Sequence, residues 1–188
     1  PQSFSYHEPW WPDYRVHADY MRRVSAALSQ GREGNRVLVL EPTTTAWMYQ
    51  GHEPRLGELG KPFFDLLMSL EAAQVEYDLG CEDVLGRLGG VGSAPPPSPQ
   101  WASSATLRVG LRSYHIVVIP PGCENLDGRT WGLLRDFARA GGRVLACSEP
   151  PQRVDGVGRE EGGDESGWRR RWEMVSAGEV AGRLAAAA

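Results

Sequence analysis

Three groups of side chains in this sequence have types and spacing that could do chemistry. The first is a thiol. Cys147 closes the apolar run Arg143-Val144-Leu145-Ala146 and is followed by Ser148-Glu149-Pro150. A cysteine on a tight turn after a buried strand suits a nucleophile, with Glu149 or Asp78 to polarise it. The reactive species is the thiolate, so such a site needs a base or a positive neighbour to form it near neutral pH. All four histidines, His7, His17, His52 and His115, precede Cys147, and His115 falls near the amino end of its own apolar run. The competing reading of Cys147 is a small buried residue at a strand end. Cys123, in the turn Pro121-Gly122-Cys123-Glu124-Asn125, takes the same reading.

The second group is acidic. Glu41, Asp78 and Glu149 each follow an apolar run. Converging at one end of a sheet, they would make an acid–base pair; alternatively, each caps the helix that follows. A metal cluster of Cys123, Cys147 and Glu149 is conceivable in space, but no CxxC pair exists and the spacing does not support it, so no metal is expected. No phosphate-cradling motif is present either. GxxxxGK[ST] is absent, and Gly89-Gly90-Val91-Gly92 neither follows a strand nor opens a clear helix, so no nucleotide cofactor is expected.

The third group is aromatic. Tyr6, His7, Glu8, Trp10 and Trp11 fall within six residues. Flat rings beside a carboxylate and an imidazole suit a sugar, which offers C–H faces to stack and hydroxyls to bond. The plainer alternative is that the tryptophans staple this segment onto a neighbouring hydrophobic surface.

The elements that must position these residues follow from periodicity. Asp13 sits as an N-cap, and Val16, Tyr20, Val24, Ala27 and Leu28 form one stripe of a helix ending at Gly31. Arg36–Leu40 reads as a strand buried on both faces, ending at Glu41-Pro42 with Thr43, Thr44 and Thr45 beyond it. Residues 46–60 read as a loop with a helical turn, and Pro62 as the first turn of a helix to Ala73. Val75–Asp78 reads as a strand, Glu82–Leu85 as an acidic-capped turn, and residues 86–104 as a Pro- and Gly-rich surface loop. Thr106–Gly110 is a brief strand and Tyr114–Pro120 a clear one. Asp127–Ala140 is a helix closed by Gly141-Gly142, and Arg143–Cys147 a further strand. Residues 153–170 read as flexible, Trp172–Val175 as an edge strand, and Glu179–Ala188 as an alanine-rich helix. Alternating strands and helices imply an α/β fold: a three-layer, doubly wound parallel sheet with its chemistry beyond the carboxyl ends of the strands.

Composition narrows the classes. The chain has 188 residues, a net charge of −4 and 41% hydrophobic residues. That fits one compact domain, or one with part of a neighbour. The charge argues against a nucleic-acid partner with a basic footprint, and the absence of a long apolar stretch argues against a membrane span. Among 20 basic residues Lys61 is the only lysine, a feature of coding bias rather than of chemistry.

The stretch SYHEPWWPDYRVHADYMRRVSAALSQG followed by NRVLVLEPTTTAWMYQ resembles a junction in large glycoside hydrolases, where the last helix of a catalytic barrel runs into an accessory domain. The later stretches YHIVVIPP and FARAGGRVLACSEPPQRVDG resemble the second half of that domain. The likeness spans roughly residues 5–155. It points to glycoside hydrolase family 106, the α-L-rhamnosidase-like proteins, with related architecture in family 42 β-galactosidases, where the accessory domain serves trimer formation. Cys147-Ser148-Glu149-Pro150 is similar to the cysteine elbow of class I glutamine amidotransferase-like proteins, but the histidine that follows that cysteine in those enzymes is missing.

The resemblance implies a flavodoxin-like or class I glutamine amidotransferase-like domain at residues 32–152, preceded at 1–31 by the loop and last helix of a missing barrel and followed at 153–188 by a flexible charged segment and a weak helix. It implies a non-catalytic structural or oligomerisation role. The partners would be the upstream barrel of the same polypeptide, a carbohydrate, or further copies of the chain. His7, Glu8, Trp10 and Trp11 would line a sugar site only in the complete protein. The parent protein would be secreted, although this chain carries no targeting signal. Two alternatives remain open: a stand-alone binding module, and a small cysteine-dependent hydrolase or amidotransferase-like enzyme using Cys147.

Overall fold

The computed structural model describes residues 5–31, 34–94, 105–159 and 172–186. Its contacts group into two compact units, Pro1–Gly34 and Asn35–Ala188. In the first, one turn of 3-10 helix at Trp11–Asp13 runs into α1 (Tyr14–Leu28). Gly31, at φ +89°, takes the left-handed conformation that ends many helices. No residue of α1 is buried, and its apolar side chains stand open, Val16 at 73% and Leu28 at 79% exposure.

The second unit runs in the order β1 (Val37–Leu40), α2 (Thr43–Met48), α3 (Glu53–Ala72), β2 (Asp78–Gly80), α4 (Glu82–Leu88), β3 (Gly89–Ser93), β4 (Ala105–Val109) and β5 (Arg112–Tyr114). It continues with β6 (Ile116–Ile119), β7 (Asn125–Leu126), α5 (Gly128–Arg139), β8 (Arg143–Ala146), β9 (Arg153–Val154), β10 (Val157–Gly158), β11 (Trp172–Met174) and α6 (Ala177–Ala185). Five strands form one sheet in the order β11-β8-β6-β1-β2, and every pair in it is parallel. The protein is therefore α/β, with helices flanking a parallel sheet.

The central strands β1 and β6 are continuous apolar runs, buried at every residue, because both their faces are covered. A row across the sheet, Leu38–Val117–Val144–Trp172, joins a core that includes Leu85 of α4 and Leu134 and Phe137 of α5. The next row, Val39–Val118–Leu145, points the other way into a core with Leu66 and Leu70 of α3 and Val180 and Leu184 of α6. The side-chain period of two along a strand divides one sheet between two cores.

Helix α5 shows how local sequence sets an element. Asp127 caps it by accepting from the Thr130 N–H at 2.8 Å. At its far end Gly141, at φ +99°, turns the chain, and the Gly142 N–H bonds the Phe137 carbonyl at 2.9 Å. Gly142 has no room for a side chain, because a Cβ there would lie 2.2 Å from Phe137 Cε2.

The structure departs from the sequence reading in several places. Helix α3 starts at Glu53 rather than Pro62, because His52 caps it and Pro54 fills its first turn; Pro62 lies inside the helix. Strand β2 starts at Asp78 rather than Val75. The residues before it are used in leaving α3: Gln74 is left-handed at φ +55°, and the Val75 N–H returns to the Leu70 carbonyl at 3.0 Å.

Gly89–Ser93, read as loop, pairs antiparallel with β4 along five residues. Its missing side chains hid the strand, and Gly89 must stay bare because a Cβ would lie 2.3 Å from the Leu85 carbonyl oxygen. The rest of that expected loop, from residue 95 to 104, lies outside the described residues. The run Tyr114–Pro120 is two strands, since Tyr114 pairs antiparallel with Leu107 whereas Ile116 pairs parallel with Val37. Beyond Pro150, the part of the expected flexible stretch that is described holds a short hairpin, β9–β10; residues 160–171 lie outside the described residues. Two elements past residue 152 belong to the main fold: β11 extends the sheet and α6 covers it.

Candidate functional site

The carboxyl ends of the parallel strands carry the polar chemistry of the second unit. At the end of β1 the chain turns through Glu41-Pro42 into α2, and the three threonines open that helix. Thr45 is fully buried. Its Oγ1 accepts from the N–H groups of Asn125, at 2.9 Å, and Glu124, at 3.1 Å, and donates to the Asn125 carbonyl at 3.1 Å. One hydroxyl thus replaces a ladder partner for the turn after β6.

Thr44 reaches the other way. Its Oγ1 lies 2.7 Å from Glu82 Oε1, and its N–H lies 3.3 Å from the same oxygen. Glu82 Oε2 accepts from the Asp127 N–H at 2.7 Å. This carboxylate at the start of α4 is only 2% exposed. It joins the ends of β1 and β2 to the cap of α5. Burial raises its pKa, and the bonds from Thr44 and Asp127 oppose that rise. A carboxylate committed to three protein donors positions loops rather than moving protons.

Glu124, in the turn after β6, accepts from the Tyr49 hydroxyl at 2.5 Å and pairs with Arg55 of α3. The Arg55 guanidinium lies 5.2 Å from the Tyr49 ring centre. The strand ends are therefore tied together twice, through Glu82 on one side and Glu124 on the other.

The residues singled out in the sequence are distributed differently. Cys147 follows β8, and its N–H bonds the Ile119 carbonyl at 2.9 Å. Its thiol is pushed up to about 11 and burial is the sole cause, so no histidine or cation lowers it. Cys123 is pushed up to about 12, first by burial and then by Glu82. Glu149 is exposed and lines a hollow of about 340 Å³ with Cys123, Glu124 and Ser148, a lining that does not include Cys147.

Asp78 is at the amino end of β2 because that strand begins there, three residues later than expected. It accepts from Asn35 and Tyr114, both at 2.7 Å, so Glu41, Asp78 and Glu149 do not gather at one end of the sheet. His115 precedes β6, also at the amino end, and is buried. Among the described residues no group of His, Cys, Asp and Glu could hold a metal. No helix there is long and apolar enough to cross a membrane.

In the first unit, His7, Glu8, Trp10 and Trp11 lie in two consecutive turns, the first closed by the Glu8 N–H on the Ser5 carbonyl at 3.0 Å. The Trp11 N–H bonds the Glu8 carbonyl at 3.0 Å. Trp11 stacks on Tyr14, with centroids 5.5 Å apart and planes within 5°, and the His7 ring lies 4.0 Å from Tyr6. One face of the Trp11 indole is therefore occupied by its own helix. Trp10 and Trp11 remain partly exposed, at 42% and 39%.

The residues missed by the sequence reading are Glu82 and Trp47. Glu82 was visible only as a helix cap, since nothing in its neighbourhood signals burial. Trp47 lies in a segment read as loop, yet α2 holds it at the rim of a cleft of about 670 Å³. No protein-family model, curated protein or solved structure matches the chain.

Proposed function

We propose that the chain is a non-catalytic accessory module of a carbohydrate-active enzyme of the α-L-rhamnosidase-like kind. In this reading it packs against the catalytic barrel of the same polypeptide or joins copies of it. The fold proposed with it is a doubly wound, flavodoxin-like or class I glutamine amidotransferase-like sheet. Counted by chain order, the parallel strands run 2-1-3-4-5, the order of flavodoxin-like sheets. The two cores, with α3 and α6 in one and α4 and α5 in the other, fit that winding.

The observation that carries the non-catalytic half is the state of Cys147. It occupies the place of a nucleophile after a buried strand, but burial alone acts on its thiol and drives it up to about 11. A catalytic cysteine needs the opposite shift. The docking half is supported by α1, whose exposed Val16, Tyr20, Met21 and Leu28 are apolar side chains that a packed neighbour would cover. The carbohydrate assignment rests on the resemblance of residues 5–155 described above.

The test is the reading frame preceding the codon for Pro1. Continuation into a barrel-coding sequence with paired carboxylates supports the proposal. A start codon in its place, with a chain that hydrolyses an aryl rhamnoside unaided, ends it.

A further inference from the structure

The cleft beside Trp47 has no part in the docking role just proposed, and its own reading stands without it. Three elements build its walls: Thr43 and Trp47 from α2, Glu82 from α4, and Asp127 and Arg129 from the start of α5, with Asp155 from the turn between β9 and β10. It lies beyond the carboxyl ends of β1 and β2, where open parallel sheets receive ligands. Its volume of about 670 Å³ falls within the roughly 300–1,000 Å³ typical of small-ligand sites.

The chemistry of the walls selects a ligand class. Trp47 is 67% exposed and makes no ring contact among the described residues, so it offers a free aromatic face. The carboxylates are held in place by the protein. Asp127 accepts from both the Thr130 N–H and the Thr130 hydroxyl at 2.8 Å, Asp155 accepts from the Gly128 N–H at 2.9 Å, and Glu82 takes its three donors. Asp127 and Asp155 keep spare lone pairs for a ligand, because an ionised carboxylate accepts about four hydrogen bonds, whereas Glu82 is buried on its protein donors and adds charge only. Arg129 adds a donor. Its stem lies over Gly86, where a Cβ would sit 3.4 Å from Arg129 Cδ.

Four carboxylates, Glu82, Asp83, Asp127 and Asp155, facing one guanidinium repel phosphates. A cation would favour carboxylates with unshared charge, whereas Asp83 is paired with Arg87 at 2.6 Å and the other three already face backbone N–H groups. What remains is a neutral ring with an apolar face for the indole and hydroxyl hydrogens for fixed acceptors. We propose that this cleft binds a neutral polyhydroxylated ring, a monosaccharide or one residue of a glycan.

The experiment is a titration of the 15N-labelled 188-residue chain with D-glucose, D-galactose and L-rhamnose, with spermidine and inorganic phosphate in parallel. The expected result is saturable shifts at residues 43–47, 82–86 and 127–129 for at least one sugar, with a Kd on the order of 1 mM. Trp47→Ala should weaken that binding about tenfold or more, while Trp47→Phe keeps part of it and both spectra stay unchanged away from the cleft. Arg129→Ala, at another exposed position, gives an independent loss should Trp47→Ala fail to fold. The proposal is overturned if no sugar moves these resonances, if the shifts survive both alanine variants, or if spermidine or phosphate moves them and the sugars do not. None of these outcomes depends on a barrel, so this reading and the docking role fail separately.

Discussion

Replacing Thr45 by valine removes one hydroxyl and almost no volume, which isolates the bond that joins α2 to the turn after β6. The hydroxyl accepts two N–H groups and donates to one carbonyl. The three do not lose equally. The Asn125 carbonyl also receives the Cys123 thiol, with Sγ at 3.7 Å, so that oxygen keeps a weak donor. Glu124 is partly exposed, and its N–H gains water. Asn125 is only 4% exposed, so its N–H is left dry and unpaired. A buried donor deprived of its acceptor costs about 1–3 kcal/mol, and Thr45→Val should destabilise by about 2 kcal/mol. Thr45→Ser keeps the hydroxyl and loses one methyl, which costs about 1 kcal/mol. Urea unfolding at fixed pH measures both. The expected order is wild type, then Ser, then Val, with the Asn125 amide exchanging faster only in the valine variant. A valine variant as stable as the serine one would falsify the assignment of that N–H to the hydroxyl.

The remaining predictions concern the strand ends and the helix that supports them. Glu82→Gln should flatten the dependence of stability on pH. Burial raises the pKa of Glu82 in the folded state, so its contribution is fully present below the unfolded value of about 4.3 and is lost as pH rises through the folded value. Urea midpoints taken upward from about pH 4 should therefore fall less in the glutamine variant than in wild type, and parallel curves would contradict this. Cys147, at about 11 instead of the ordinary 9.0, holds about a hundredfold less thiolate at pH 8 than an unperturbed thiol. Its alkylation by iodoacetamide should lag that of free cysteine and keep accelerating past pH 10; a plateau near pH 8 would point to an activated thiol. Gly142→Ala forces a methyl to within 2.2 Å of the Phe137 ring and should cost about 1–3 kcal/mol, measured as a lower urea midpoint.

What could be read in advance divides along a physical line. Val37–Leu40 and Ile116–Ile119 announced themselves because strands covered on both faces need unbroken apolar runs, and α5 did so through Asp127 and the glycine pair. Gly89–Ser93 stayed hidden because a strand with glycine at three of its five positions carries no pattern; its pairing is set by β4 and by the crowding of Leu85 and Leu133 around Gly89. The shift of β2 by three residues came from the way α3 ends, a tertiary choice at Gln74, and it moved Asp78 to the opposite end of the sheet from its expected place. For the same reason the candidate site was only half legible. The threonines and the thiols were at strand ends as read, but the burial of Glu82 and the exposure of Trp47 depend on how α2, α4 and α5 converge. Composition cannot report that convergence.

The five-stranded sheet ends on both sides in a strand of three residues, β2 and β11. Such short margins give an incoming chain little template for pairing. On β11 the margin is also charged, because Glu173 binds Arg143 at 2.9 Å and Arg183 at 3.3 Å. Growth of the sheet from one molecule into the next is thereby discouraged, and with it the fibre-like association open to longer flat edges. If copies of this protein do assemble, extending the five-stranded sheet is the route least open to them, because its margins offer so little unpaired backbone.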